Sequence, residues 1–514
     1  MLSSATILVK YRIEDKQPMQ NAIAKTTTNF WPIVFPLALA QFVCSYAGTT
    51  MNVSISNIAN DLRTDVHAIQ ITITFFTLTM AALMIPGSKL TDIWGRKFCL
   101  MLGLTVYGLG ALIATLAQGI GVLMFGYSLL EGLGTALLIP PVYILCTVSF
   151  LDLPTRARAF GVISASAGIG AAAGPLIGGV ITTAISWRAS FILQILIVVL
   201  VIVLSRRLAD PGVQGARPRF DIIGTILSAA GLVFVVLGIL QSGTYGWITA
   251  SQNFTIGNIV VIPQGGISPV WLFVGIGVLF LVGFFLWIRS RERAGKEPLI
   301  HTYLFRNRTS NLGLVTQFAQ WFILLGSFFV ISVYLQQVRH YNAIETGLTL
   351  TPATIGVLIT GGIAGRLAKR FPQKTLIWTG FVATITGMIL LLLLSNPTSN
   401  VLSSIPSLLL AGLGVGMMLT SSVNVVQSSF SDKEQGDISG LSRSVSNLGA
   451  TFGTAIAGSV LVTALVPPDK TYPLALITII VFGCIGLVAA LLLPNSQNTQ
   501  TASKHQVAMS KPSL

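Results

Sequence analysis

The sequence predicts an all-α membrane protein of fourteen spanning helices, grouped as six, two and six. Three observations predict it: a composition too apolar for a water-facing surface, fourteen apolar blocks of spanning length, and basic residues confined to alternate connections. Of 514 residues, 53% are hydrophobic and 9% charged, against roughly a quarter charged in soluble domains. Mean hydropathy is +0.79. Lipid must replace water as the principal solvent, which excludes a cytoplasmic enzyme, a disulfide scaffold, a fibrous protein and a disordered chain. The net charge of +15 comes without a long basic run, so a lipid bilayer rather than nucleic acid is the expected partner.

A spanning helix needs about 20 mostly apolar residues. Fourteen blocks qualify, at about 31–55, 67–86, 98–118, 120–148, 158–183, 187–204, 222–241, 270–289, 312–335, 346–366, 375–394, 404–427, 438–464 and 474–493. With the amino terminus in the cytoplasm and the spans alternating, 26 of the 31 basic residues fall on inner segments, 4 on outer segments and one, Arg443, inside a span. That asymmetry orients the chain, with both termini cytoplasmic in an inner (plasma) membrane. The four cysteines, Cys44, Cys99, Cys146 and Cys484, fall inside apolar blocks with no metal-ligand spacing. No signal peptide is read before the first block.

The longest inner segments flank spans seven and eight, so the expected division is a tail at 1–29, a six-helix bundle at 30–204, a linker with two inserted helices at 205–310, a second bundle at 311–493 and a tail at 494–514. A weak repeat supports it. Gly-Ala-Ala-Ala-Gly-Pro at 170–175 in span five resembles Gly-Ala-Thr-Phe-Gly-Thr at 449–454 in span thirteen, and these spans are equivalent if the halves repeat. Gly170/Gly174, Gly412/Gly416 and Gly449/Gly453 are small-xxx-small pairs that let helices approach closely in lipid.

Two motifs carry more. Between spans two and three stands Gly87-Ser-Lys-Leu-Thr-Asp92-Ile-Trp-Gly95-Arg96-Lys97, read as a tight inner turn with Arg96 and Lys97 at the interface. It resembles the signature loop of the major facilitator superfamily, with Asp92, Gly95 and Arg96 matching and Lys89 and Thr91 looser. That resemblance implies the major facilitator fold, with this loop gating the inner face between the two halves. Span five holds Gly170, Gly174, Pro175, Gly178 and Gly179, which looks like the motif marking exporters in that superfamily. Pro175 is expected to bend its span. Phe220-Asp221, Glu297-Pro298-Leu299, Leu304-Phe305-Arg306-Asn307, Tyr334-Leu335-Gln336 and Arg443 extend the likeness to the 14-helix drug:proton antiporter branch. The chain departs from that branch at two positions. Ala47 stands where an acid is usual, five residues before Asn52, and span four reads Ser128-Leu-Leu-Glu131-Gly132 in place of Arg-x-x-Gln-Gly. The usual proton-coupling arginine is therefore missing, and an acid stands three residues later.

Glu131 is the lone acid deep inside a span, about 16 Å from the start of span four by helical rise. A carboxylate there costs about 2.5–3.5 kcal/mol on insertion scales. It persists where it faces a cavity, meets a cation or keeps its proton. Glu131 is expected to exchange a proton for substrate, visited by something mobile, with Arg443 in the opposite half as its candidate partner or as a ligand for an anionic group. A static, packing carboxyl is the competing reading. Gln41, Ser45, Asn52, Gln194, Gln317, Gln320, Trp321 and Asn424 are the polar or aromatic candidates for the cavity wall, since amides at lipid depth face protein or water. Each competes with a plain helix–helix hydrogen bond.

No phosphate-cradling loop, catalytic constellation or metal set is expected, and no cofactor. Uphill transport would then use an ion gradient, with protons as the expected coupling ion. The resemblance implies a monomeric secondary transporter exporting a small amphipathic substrate. An uncoupled facilitator or lipid exporter, and a transport-dead receptor or scaffold, are the alternatives.

Overall fold

The computed structural model describes residues 30–150, 152–208, 220–256, 259–394, 401–430, 434–462 and 468–494. The tails, Arg217, Arg219 and Lys433 lie outside the described residues. Among those residues, thirteen helices are long and apolar enough to cross a membrane. They are α1 (Phe30–Asp61), α2 (Val66–Trp94), α3 (Arg96–Thr115), α4 (Ile120–Ser149), α5 (Leu153–Ala184), α6 (Trp187–Ser205), α7 (Ile222–Tyr245), α8 (Pro269–Arg293), α9 (Arg308–Val338), α10 (Ala343–Arg370), α11 (Gln373–Leu394), α12 (Leu402–Gln427) and α14 (Pro468–Leu491). The fourteenth, α13 (Gln435–Phe452), continues through a π-turn at Gly453–Ala457 into Gly458–Val462. Arg443, Asn447 and several serines make it the most polar of the set. It remains helical because it is packed between α2 and α9, where neighbours satisfy its polar groups.

One sequence expectation is corrected here. The segment from Gly87 is not a loop: α2 runs unbroken through Asp92 to Trp94, and the turn is the single residue Gly95, whose φ of 100° favours glycine. Arg96 already begins α3. The outer connection between α7 and α8 is partly regular. It carries a small antiparallel hairpin, β1 (Phe254–Ile256) with β2 (Ile259–Ile262), and an isolated antiparallel bridge between Thr249 and Ile267. Pro175 lies within an uninterrupted α5.

The two six-helix halves meet along two seams. At one, α2 lies on α13 over its whole length through a polar ladder. Gln70 Nε2 donates to the Thr454 carbonyl at 3.0 Å, Thr451 Oγ1 to Thr77 Oγ1 at 3.0 Å, and Ser444 Oγ to the Ala81 carbonyl. Inserted helix α7 covers this seam, with Val236, Ile239 and Leu240 packed on Leu78 and Ala455, while α8 packs on α7 and turns exposed Leu279 and Leu286 outward. Asp221 ties the inserted pair together: it caps α7 at Gly224 N, accepts from Trp287 Nε1 at 3.0 Å and lies 3.6 Å from Arg291.

The second seam, α5 against α10, behaves differently. Near the face opposite Arg96, Thr183 accepts from Ile344 N at 3.0 Å, and a Cβ on Gly179 or Gly347 would overlap the facing backbone at Ala343 or Pro175. Further along the same helical stripe, Gly161 and Gly168 on α5 and Gly361 and Gly365 on α10 have nothing within 4 Å of where a Cβ would sit. The two helices part toward the basic face. The opposite face is also closed by Gln336, whose amide donates to the Asn52 carbonyl at 2.9 Å and accepts from Ser56 N at 2.8 Å.

Candidate functional site

A cavity lies where the halves face each other, walled by α1, α2, α4 and α5 from one side and α9 and α13 from the other. Its polar wall is Gln41, Ser45, Thr49, Thr77, Thr135, Arg443, Ser446 and Asn447, and Trp321, Met80, Ile139 and Leu325 supply apolar surface. The helical period explains the grouping. Residues 41, 44, 45 and 48 on α1, and 443, 446, 447 and 450 on α13, follow the i, i+3, i+4, i+7 spacing that puts side chains on one face. Room inside amounts to about 50 Å³, against roughly 300–1,000 Å³ for drug-sized ligand sites. This conformation is contracted around the site.

Arg443 reaches the cavity, but its partner is not Glu131. The guanidinium donates to the Tyr143 hydroxyl and lies 4.9 Å from that ring's centroid. Tyr143 in turn stacks on Phe160 at 5.9 Å. The four ion pairs among the described residues are Lys89–Asp437, Arg188–Asp61, Arg291–Asp221 and His301–Glu292. The expected Glu131–Arg443 pairing is corrected accordingly: the two sit in different surroundings.

Glu131 closes a π-helical segment, Met124–Glu131, in α4. Close approach to α3 accompanies that irregularity, for a Cβ on Gly126 would meet the Gly110 carbonyl and one on Gly134 would meet Tyr107. The Glu131 side chain is fully buried, and neither carboxyl oxygen has a hydrogen-bond partner among the described residues. Tyr107 lies beside it, yet the Tyr107 hydroxyl is directed to Gln194 and to the Val43 carbonyl. Thr135, one turn on from Glu131, and Cys44, within its electrostatic reach, both line the cavity. Glu131 thus stands one turn behind the wall, where nothing mobile reaches it in this conformation.

The two positions that depart from the resemblance are held by other bonds. The Ala47 carbonyl accepts from Tyr127 at 3.0 Å, and Ser128 Oγ donates to the Thr72 carbonyl at 2.7 Å. Both tie helices of one half together.

Of the other expected cavity residues, Gln41, Ser45 and Trp321 line the wall and five do not. Asn52 lies at the closed face under Gln336. Gln194 accepts from Tyr107. Gln317 and Gln320 belong to a network between α9, α12 and α13, in which Ser442 donates to Gln317 at 2.7 Å and Ser422 to Gln320 at 2.9 Å. Asn424 is half-buried on α12, away from the cavity.

The motif residues join elements. Gly87 backs onto the Ala136 carbonyl of α4, Lys89 pairs with Asp437 of α13 at 2.6 Å, and Lys97 Nζ donates to the carbonyls of Arg206 and Leu208 at 2.8 Å each. Asp92 and Arg96 are half-buried beside them. On α5, Gly170 faces the Phe42 carbonyl, Gly174 and Gly178 face Thr49 and Thr50, and Gly179 faces Ala343 of the other half beside Pro175 and Gly347. Gly449 and Gly453 repeat that packing on the Phe318 and Phe322 carbonyls of α9. The internal echo is one close helix contact made twice.

Sequence reasoning missed Tyr143, Thr77, Thr135, Ser446 and Asn447. The polar stripe of α13 was a usable signal for the last two; Tyr143 had none, because only the fold brings it to Arg443.

The sequence profile described as Major Facilitator Superfamily matches residues 37–264 and 254–454. Among similar proteins are the "Probable actinorhodin transporter" of Streptomyces coelicolor, 28% identical over 84% of this chain and 72% of its own length, and the "Puromycin resistance protein pur8" of Streptomyces alboniger, 29% identical over 84% and 81%. The "Multidrug resistance protein Stp" of Mycobacterium tuberculosis is 25% identical over 82% and 74%.

Proposed function

The chain belongs to the Major Facilitator Superfamily, and from that premise we propose that this multi-pass membrane protein is a secondary active transporter exporting an amphipathic small molecule or drug, with protons as the coupling ion. The observation that carries this reading is the cavity between the halves, closed by Asn52, Ser56 and Gln336 at one face while α5 and α10 part toward the other. Rocking of the halves would open it to each face in turn. Placing the basic face in the cytoplasm makes this the inward-facing arrangement of an exporter. Relatives named for antibiotic transport and drug resistance support export.

In this reading Glu131 carries the proton. A charge on it would be buried and unpaired in this conformation, which is costly, and separation of the halves would let water or substrate reach it past Thr135 and Cys44. The test is reconstitution in vesicles with an imposed pH gradient, following proton movement and substrate flux together. Glu131→Gln is expected to abolish coupled proton movement and uphill flux while downhill flux persists. Unchanged proton-driven transport in that variant would end the assignment.

A second reading has its own observation. Among the described residues Glu131 does not line the central cavity, as expected of a carboxyl that takes no part in transport. The protein would then be an uncoupled facilitator or lipid exporter, with flux independent of pH.

A further inference from the structure

Among the described residues, Arg443 is the one residue of formal charge lining the cavity, and no aspartate or glutamate joins it there. Its hydrogen bond to Tyr143 and its place against that ring account for a small part of its bonding capacity, since a guanidinium carries five N–H donors in a planar fork suited to a carboxylate. No counter-ion lies within 4 Å, for none of the ion pairs among the described residues includes it. A cation in a spanning helix without a counter-ion is costly and marks a functional position. Ser446 and Asn447 stand on the same face of α13, and Trp321 offers a ring across the cavity.

We propose that Arg443 recognises an acidic substituent, so that the preferred substrate is an amphipathic organic anion: a carboxylate or kindred acid on an aromatic or aliphatic body. This deepens the export reading and rests on it. Lipophilic cations would meet a like charge and no carboxylate in the wall.

The probes are 1-pyrenebutanoate and its methyl ester, which differ in charge but hardly in shape. Binding to the full-length protein in phosphatidylcholine nanodiscs is read by energy transfer from tryptophan to pyrene, corrected for partitioning into protein-free discs. The carboxylate is expected to bind at least about ten-fold tighter than the ester, the scale of a hydrogen bond to a charged group. Arg443→Gln should bring the two affinities together, and Arg443→Lys should retain part of the preference. Equal affinities in the unmodified protein, or a full preference surviving in Arg443→Gln, would overturn the proposal. The first comparison needs no variant, so misfolding cannot hide the answer. Discs containing phosphatidylglycerol separate the two sources of an anion. Loss of the preference there assigns the site to a lipid phosphate and overturns the substrate class; its survival supports a soluble acid. Vesicle export of 1-pyrenebutanoate is scored apart. Its absence beside an intact binding preference counts against export and leaves anion recognition standing.

Discussion

Lys89 Nζ lies 2.6 Å from Asp437 Oδ1, joining α2 of one half to the first turn of α13 in the other. The contact completes a seam that also holds neutral bonds, among them those from Gln70, Thr77 and Ala81 on α2 to Thr454, Thr451 and Ser444 on α13. Both partners are 20% exposed, so water screens the pair only in part. Asp437 also lies where a helix amino terminus favours negative charge.

Breaking this pair should loosen the seam modestly. Lys89→Met and Asp437→Asn are each expected to lower thermal stability, and a double-mutant cycle should give a coupling of about 0.5–1 kcal/mol. The exchange Lys89→Asp with Asp437→Lys should restore part of it, read by thermal unfolding in detergent. A zero coupling would show that the neutral ladder holds the seam alone.

The paired glycine contacts predict matched damage. Gly170 meets the Phe42 carbonyl and Gly449 the Phe318 carbonyl, both as backbone contacts with no room for a side chain. Gly170→Val and Gly449→Val should each destabilise by at least about 1–3 kcal/mol, the usual cost of overpacking. If Gly449→Val were harmless while Gly170→Val was not, the two halves would not share the contact.

Gly168 and Gly361 face open space, whereas Gly179 and Gly347 face backbone of the opposite half. Gly168→Leu and Gly361→Leu should therefore fold normally in this conformation, with transport slowed at least about ten-fold if α5 and α10 must meet there to close the basic face. Gly179→Leu and Gly347→Leu should instead raise the reactivity of a cysteine placed at Ser45, because the present closure is lost. Labelling by a membrane-impermeant thiol reagent separates the two classes.

A buried carboxyl without a hydrogen-bond partner adds no bond that stabilises the fold. Glu131→Met keeps the volume and removes both unpartnered oxygens, so it should leave stability unchanged or raise it by about 1–3 kcal/mol. Coupled transport should disappear in the same protein. A clear loss of stability would mean that Glu131 has a bonding partner in the resting protein.

Much of the fold was legible because lipid imposes a simple rule. A span must be long, helical and apolar, and thirteen of the fourteen expected blocks satisfy it directly. The span hardest to justify by hydropathy, α13, was still found by its length and apolar content, and its glycines echo those of α5. The site was legible in part. Gln41, Ser45, Trp321 and Arg443 reach the cavity, while Gln194, Gln317 and Gln320 spend their amides on neighbouring helices. An amide at lipid depth must bond to something, and its own sequence does not say whether that is a helix or a ligand.

Local chemistry by itself determined that this chain lives in a bilayer, how many times it crosses, and that Glu131 and Arg443 are out of place in hydrocarbon. Only the packed helices decided that Arg443 turns to Tyr143, that Lys89 finds Asp437, and that Glu131 sits behind the cavity wall. Span count follows from the chemistry of consecutive residues, each of which pays or avoids desolvation alone. Partnership depends on which helix faces are brought together across 300 residues or more of chain, and no spacing within a single span encodes that.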